Sequence, residues 1–235
     1  MALSPAKRHF LKATAALEAA AVAPEAMMEG ATGYEMMLAK LQQDQFRLKQ
    51  VQSTEGKALL KATLLPDYIP YVDGVLAAGN GAQDDVLVRV MLWRLDAGDF
   101  EGGLTIAAYV LEHNLKMLDG FKRTTGCVVA EQTAEAALNA IKAGGTFDLG
   151  TLALADRLTA SHDMPDEARA KLMLAISKLL GAMIDDATPK DGDAQCLEAA
   201  RHFLSRAIEL YDKCGGKKDM ERLERLLKKH AGTTG

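Results

Sequence analysis

Apolar residues in this chain recur every three or four positions, the spacing of helices that bury one face. The sharpest case runs from Gln83 to Asn114, where Val86, Val90, Trp93 and Ala97 line one arm and Phe100, Leu104, Ala107 or Ala108 and Leu111 line a second. Gly98 stands where the first arm must stop and Asp99 where the second needs an N-cap, so the stretch predicts a helical hairpin. Before it, the pattern predicts a helix over 6–23 entered through Ser4-Pro5, then a turn punctuated by Pro24, Gly30 and Gly33. Tyr34, Met37, Leu41, Asp44, Leu48 and Val51 follow with alternating spacings of three and four, a coiled-coil-like seam with one polar member, and such a helix needs a partner. Pro66 and Pro70 then force a break before the helix-like YVDGVLAAG, which Gly79-Asn80-Gly81 ends.

Downstream, 118–129 reads as a loop containing Gly120 and Gly126, followed by helices near 133–143 and 151–161. Asp163, Pro165, Asp166 and Glu167 suit the start of a long helix to about Ile184, with Ala170, Leu174, Ile176 or Ser177, Leu180 and Met183 expected to pack on the first hairpin. The acidic stretch 185–193 is a turn, and a second hairpin closes the chain: Leu197, Ala200, Leu204, Ile208 and Tyr211 on one arm, Gly215-Gly216 at the bend, Met220, Leu223, Leu226 and Leu227 on the other. The expected fold class is all-α: N-terminal helices with a coiled-coil-like seam, then helical hairpins that resemble tetratricopeptide-type packing. The division expected is 1–80, an N-terminal helical region, and 81–235, a helical-hairpin domain. Aromatic residues make up only 5% of the chain while Ala, Leu and Met abound, which favours aliphatic helix packing over a β-sandwich.

A formal charge of −4 excludes a chain that coats nucleic acid along its whole length, yet the charge is unevenly spread. Lys7, Arg8, His9 and Lys12 crowd the start of the first helix, where cations oppose the helix dipole; a phosphate backbone or plain solvation accounts for them. The seam helix and the residues after it carry Lys40, Arg47, Lys49, Lys57 and Lys61 against Asp44 and Glu55. Lys7, Arg8, Lys12, Lys40, Arg47 and Lys49 are therefore the DNA-binding candidates. The basic final arm, Lys217 to Lys229, is interleaved with Glu221 and Glu224 and reads as a solvated helix face. Cys127, Cys196 and Cys214 are odd in number and far apart, which indicates neither a disulfide framework nor a zinc site and suits a reducing cytoplasm. Glu18 interrupts the Ala-rich run near the start, so a secretory leader is not expected, and no stretch approaches the roughly 20 apolar residues of a membrane span.

Catalytic signatures are sparse. No G-x-x-x-x-G-K-[ST] loop, H-E-x-x-H pair or G-x-S-x-G elbow occurs. Asp84, Asp85, Asp96 and Asp99, with Glu101, are candidates for holding magnesium in phosphodiester hydrolysis. Their spacing opposes it: Asp84 and Asp85 lie at one end of a helix and Asp96 and Asp99 at the other, roughly 16–20 Å apart at 1.5 Å per residue, so the alternative is that they are caps.

Several phrases in order, SPAKRH, YEMMLAKLQQDQ, LLPDYIPYVDGVLAAGNGAQDD, VMLWRLDAGDFEGGLTIAAYVLEHNL, DMPDEARAKL and KKDMERLERLLKK, resemble the small terminase subunit family of P2-like temperate tailed phages, often labelled the terminase endonuclease subunit. The resemblance implies recognition of a cohesive-end packaging site on double-stranded phage DNA, and its presentation to a large subunit that carries the ATPase motor. It further implies a homo-oligomeric ring, for which the Tyr34–Val51 seam is the candidate contact, and action in the bacterial host cytoplasm with no membrane role. No cofactor is expected for this subunit; Mg2+ enters only if it is itself the metal-dependent endonuclease. That second reading stays open beside a regulatory one, in which cleavage belongs to the large subunit. A third is a helical-repeat adaptor that binds only protein.

Overall fold

The computed structural model describes residues 3–186, 190 and 192–233, the side chains of 231–233 excepted. Residues 187–189 and 191, within the acidic turn expected at 185–193, lie outside the described residues. Among the described residues the chain is all-α: α1 (Pro5–Ala21), α2 (Thr32–Gln50), α3 (Thr54–Leu64), a 3-10 turn (Leu65–Asp67), α4 (Ile69–Ala78), α5 (Asp85–Asp96), α6 (Phe100–Glu112), α7 (Thr125–Lys142), α8 (Leu149–Thr159), α9 (Asp166–Ala182), α10 (Asp193–Leu210) and α11 (Lys217–Thr233). They form two compact units, Met1–Thr125 and Gly126–Gly235. The hairpin α5–α6 thus shares a unit with the basic helices before it, instead of starting a new one at residue 81. The physical reason is cross-packing: Tyr68 meets Trp93 edge to face at 5.9 Å, Lys61 pairs with Asp96 at 2.5 Å, and the backbones of Met28 and Gln83 hydrogen-bond at 3.2 Å.

In the first unit α1 lies along α4 at a close crossing made by small residues. A Cβ on Gly74 would run into the Lys12 carbonyl oxygen and stand 2.8 Å from the Ala15 Cβ, so only glycine admits this approach. Ala15 and Ala19 are buried on the same side of α1. Helix ends are then capped by side chains distant in sequence. Asn80 Nδ2 donates to the Ala19 and Val22 carbonyls at the end of α1. The Glu18 carboxylate accepts from the Gly33 N–H at 2.9 Å and the Tyr34 N–H at 3.3 Å at the start of α2. These satisfy groups that a helix terminus otherwise leaves open.

The seam from Tyr34 to Leu48 is filled within the subunit: Tyr34, Met37, Leu41, Asp44 and Leu48 are all buried. It is therefore not available as the contact between copies. The helix ends at Gln50, and Ser53 caps the next one by accepting from the Gly56 N–H at 3.1 Å. The first hairpin forms as its turn chemistry requires. Gly98 adopts φ +81°, and the Asp99 carboxylate accepts from the Gly102 N–H at 3.0 Å.

The second unit is organised on α9. One side of it packs with α7 and α8 through Ala130, Ala134, Ala137, Leu152, Leu172 and Ile176. The other packs with α10 and α11 through Ala170, Leu174, Leu197, Leu204, Leu223 and Leu226. Partners within its own unit thus fill the face that the sequence assigned to the first hairpin. Helix α7 begins at Thr125, inside the expected loop, and Gly126 is helical: its Cβ would lie 2.8 Å from the His162 Cβ, so the glycine serves packing. Two arginines cap helix ends here. Arg169 donates to the Thr159 and His162 carbonyls after α8, and Arg222 to the Gly181 carbonyl after α9. Gly74→Ala is expected to lower the unfolding free energy by about 1–3 kcal/mol despite alanine's better helix propensity; an unchanged urea midpoint would show that the α1–α4 crossing relaxes freely.

Candidate nucleic-acid interface

Each candidate carboxylate is engaged locally. Asp84 is fully buried and caps α5, accepting from the Leu87 N–H at 2.8 Å and the Tyr71 hydroxyl at 2.6 Å. Burial pushes its acid up to about 6, against the opposing pull of the Tyr71 hydroxyl and the Leu87 and Val86 N–H groups. Asp85, in the next position, accepts from Gln83 Nε2 at 3.3 Å. Asp96, at the far end of α5, pairs with Lys61, and Asp99 caps α6 while pairing with Arg94 at 2.8 Å. Among the described residues no three His, Cys, Asp or Glu side chains gather as a metal cluster. Asp84 and Asp99 are thus helix caps, Asp96 and Asp99 ion-pair partners, and Asp85 holds the Gln83 amide.

The cations of α2 divide into two kinds. Asp44, the polar member of the seam, is 3% exposed, and its carboxylate accepts from Lys40 Nζ at 2.8 Å, the Tyr68 hydroxyl at 2.8 Å and Arg47 at 3.0 Å. Burial alone would raise its pKa, but these three donors hold it below the usual carboxylate range. Lys40 also pairs with Asp67 at 3.2 Å and lies 4.9 Å from the Tyr68 ring centroid. Lys40, expected to touch DNA, is therefore spent on the fold. Arg47 gives one guanidinium nitrogen to Asp44 and keeps a largely exposed side chain. Lys49 is exposed, its ammonium 5.3 Å from the Phe46 ring centroid. On α1, Lys7 and Arg8 are exposed, and Lys12 stands 3.8 Å from Asp73.

Phe46 was not singled out by sequence reasoning. It is 65% exposed, directly opposite the seam, and Ala39, Gln42, Gln43, Lys49 and Gln50 share its outward side of α2. The signal was present in QQDQFRLKQ: an aromatic residue off the apolar register, set among amides and cations. Amides offer both a donor and an acceptor, guanidinium and ammonium groups meet phosphates, and an exposed ring stacks on bases or contacts sugars. Together they form a surface with the chemistry of a nucleic-acid contact. In the second unit part of the charge on the basic arm α11 is paired, Arg222 and Arg225 with Asp186, while its Asp219 pairs with Lys178 of α9.

The family described as phage small terminase subunit matches residues 38–167, a span that holds most of α2, the Asp44 cluster and the first hairpin. The chain belongs to the phage small terminase subunit family. This small terminase subunit is 46% identical over 225 residues to the terminase, endonuclease subunit of Escherichia phage P2, covering 96% of this chain and 86% of that protein. It is 26% identical over 160 residues to the probable terminase, endonuclease subunit of Haemophilus phage HP1, covering 67% of this chain and 57% of that one. No solved structure matches it. Among the described residues, no helix is long and apolar enough to cross a membrane.

A pH dependence follows from Asp84. Its acid is stronger in the unfolded chain, near 3.8, than in the folded one, near 6, so between these values the folded state binds more protons and the stability contributed by this group falls as pH rises. The fall approaches about 1.4 kcal/mol per pH unit. Asp84→Asn, which keeps a capping oxygen but cannot ionise, is expected to flatten this part of the stability profile in urea titrations from pH 4 to 6. A variant profile parallel to the wild type would mean that Asp84 ionises freely in the folded protein.

Proposed function

We propose that this small terminase subunit recognises the packaging site on double-stranded phage DNA through the outer face of α2, and presents that DNA to the large subunit that drives packaging and cutting. The observation that carries this reading is the exposed set Gln42, Gln43, Phe46, Lys49 and Gln50, flanked by Arg47, on a helix whose opposite side is anchored in the core. Arg8 of α1 adds a cation for the phosphate backbone. The subunit works in the host cytoplasm and assembles into a homo-oligomeric ring. Because the Tyr34–Val51 seam is consumed inside the subunit, the contact between copies lies elsewhere on the surface.

A second reading is favoured by the name of the P2 relative, an endonuclease subunit: this chain itself makes the cohesive-end cut with Mg2+. The local use of Asp84, Asp85, Asp96 and Asp99 supports the recognition role instead. Purified protein with Mg2+ and packaging-site DNA is expected to bind without cutting until the large subunit is added; cutting by this chain alone would establish the second reading.

Gel shifts at two salt concentrations test the interface. Arg47→Glu and Lys49→Glu are each expected to weaken binding and to reduce the slope of log affinity against log salt by about 1 for each phosphate no longer neutralised. Unchanged affinity and slope in both would place the DNA on another surface.

A further inference from the structure

Helix α1 is apolar on two opposite sides. Leu11, Ala15 and Ala19 are buried in the subunit. The other side carries Ala6, Phe10, Ala13, Leu17 and Ala20, spaced by four, three, four and three, the register of a coiled-coil seam. It remains open: Phe10 is 61% and Leu17 74% exposed, the two most exposed large apolar side chains of this helix. The order small, large, small, large, small reads the same from either end, with Ala13 at its centre. A helix with such a stripe is complementary to an inverted copy of itself. Ala6 then faces Ala20 of the second copy, Phe10 faces its Leu17, and the two Ala13 residues meet at the axis, where small side chains allow close approach.

The charges favour the same arrangement. Lys7, Arg8, His9 and Lys12 occupy the first half of α1, where the helix dipole is positive and the first turn holds no acidic residue, while its last turn holds no basic residue. Lys7 and Glu18 are eleven residues apart, within about 20° of each other around the helix, and so lie on one flank of the stripe. A two-fold axis near Ala13 sets Lys7 beside Glu18 of the second copy and repeats the pair on exchange. It also lays the basic first turns against the negative end of the neighbouring dipole. Glu18 already caps α2 through the Gly33 and Tyr34 N–H groups and keeps its carboxylate fixed on that flank.

We infer that α1 forms an antiparallel, two-fold contact with α1 of a second copy of this chain. The contact goes beyond the DNA role proposed for α2 and does not depend on it. Whatever other surface closes a ring, an assembly built on this contact contains an even number of copies.

Light scattering on the full chain without DNA, together with the variants Phe10→Glu and Leu17→Glu, tests the contact. Both positions are exposed in the single subunit, so the variants are expected to stay folded, with wild-type helix content by circular dichroism, while the mass of the assembly falls two-fold. Ala13→Cys provides a second measurement with minimal change in shape. Under mild oxidation it is expected to yield a covalent dimer on non-reducing gels that the wild type, with its own three cysteines, does not give. A monomeric wild-type chain, an assembly mass unaffected by Leu17→Glu, or absence of the Ala13→Cys dimer would each overturn the inference.

Discussion

Asp44 fixes the first unit more than any other single group. A carboxylate sunk into an apolar seam is tolerable only when its charge is met by donors, and three side chains supply them: Lys40 one turn before, Arg47 one turn after, and Tyr68 from the 3-10 turn that leads into α4. Tyr68 in turn lies edge-on to Trp93 in the hairpin. The network therefore ties the basic helix to the first hairpin. It also decides which cations remain for a partner, since Lys40 is used inside and Lys49 is left outside.

The same economy appears at the helix ends. Glu18 and Asn80 in the first unit, and Arg169 and Arg222 in the second, each reach from one element to cap another. Such caps satisfy backbone groups and at the same time set the angle between helices, which local propensity cannot do. With Gly74 allowing α1 to approach α4 closely, α1 is held by one side only, and its second apolar side is left to the surface. The α2 helix is held in the corresponding way through its seam, with Phe46 and its glutamine neighbours turned outward. Each of the two N-terminal helices thus has one face given to the fold and one available to a partner.

The sequence carried the local signals well. Gly98 and Asp99 specified the hairpin because turn chemistry needs only its own few residues, and 3.6-residue periodicity located nearly every helix. Signals that depend on a distant partner were not readable. Gly126 looked like a loop because its reason for being glycine, the His162 side chain, is far away in sequence. Asp44 was visible as a polar interruption of the seam, but nothing local named Tyr68, so Lys40 looked free for DNA. Phe46 went unnoticed because an aromatic residue is ordinarily credited to the core, and only its exposure shows otherwise.

Membership of the small terminase subunit family gives this architecture its context, and the central claim is that the outer face of α2 touches the DNA. Photocross-linking to packaging-site DNA substituted with 5-iodouracil, followed by mass-spectrometric mapping of the joined peptide, tests that contact directly. Cross-links are expected on the α2 peptide at Phe46. Cross-links confined to α10 and α11 of the second unit, with none on α2, would contradict it.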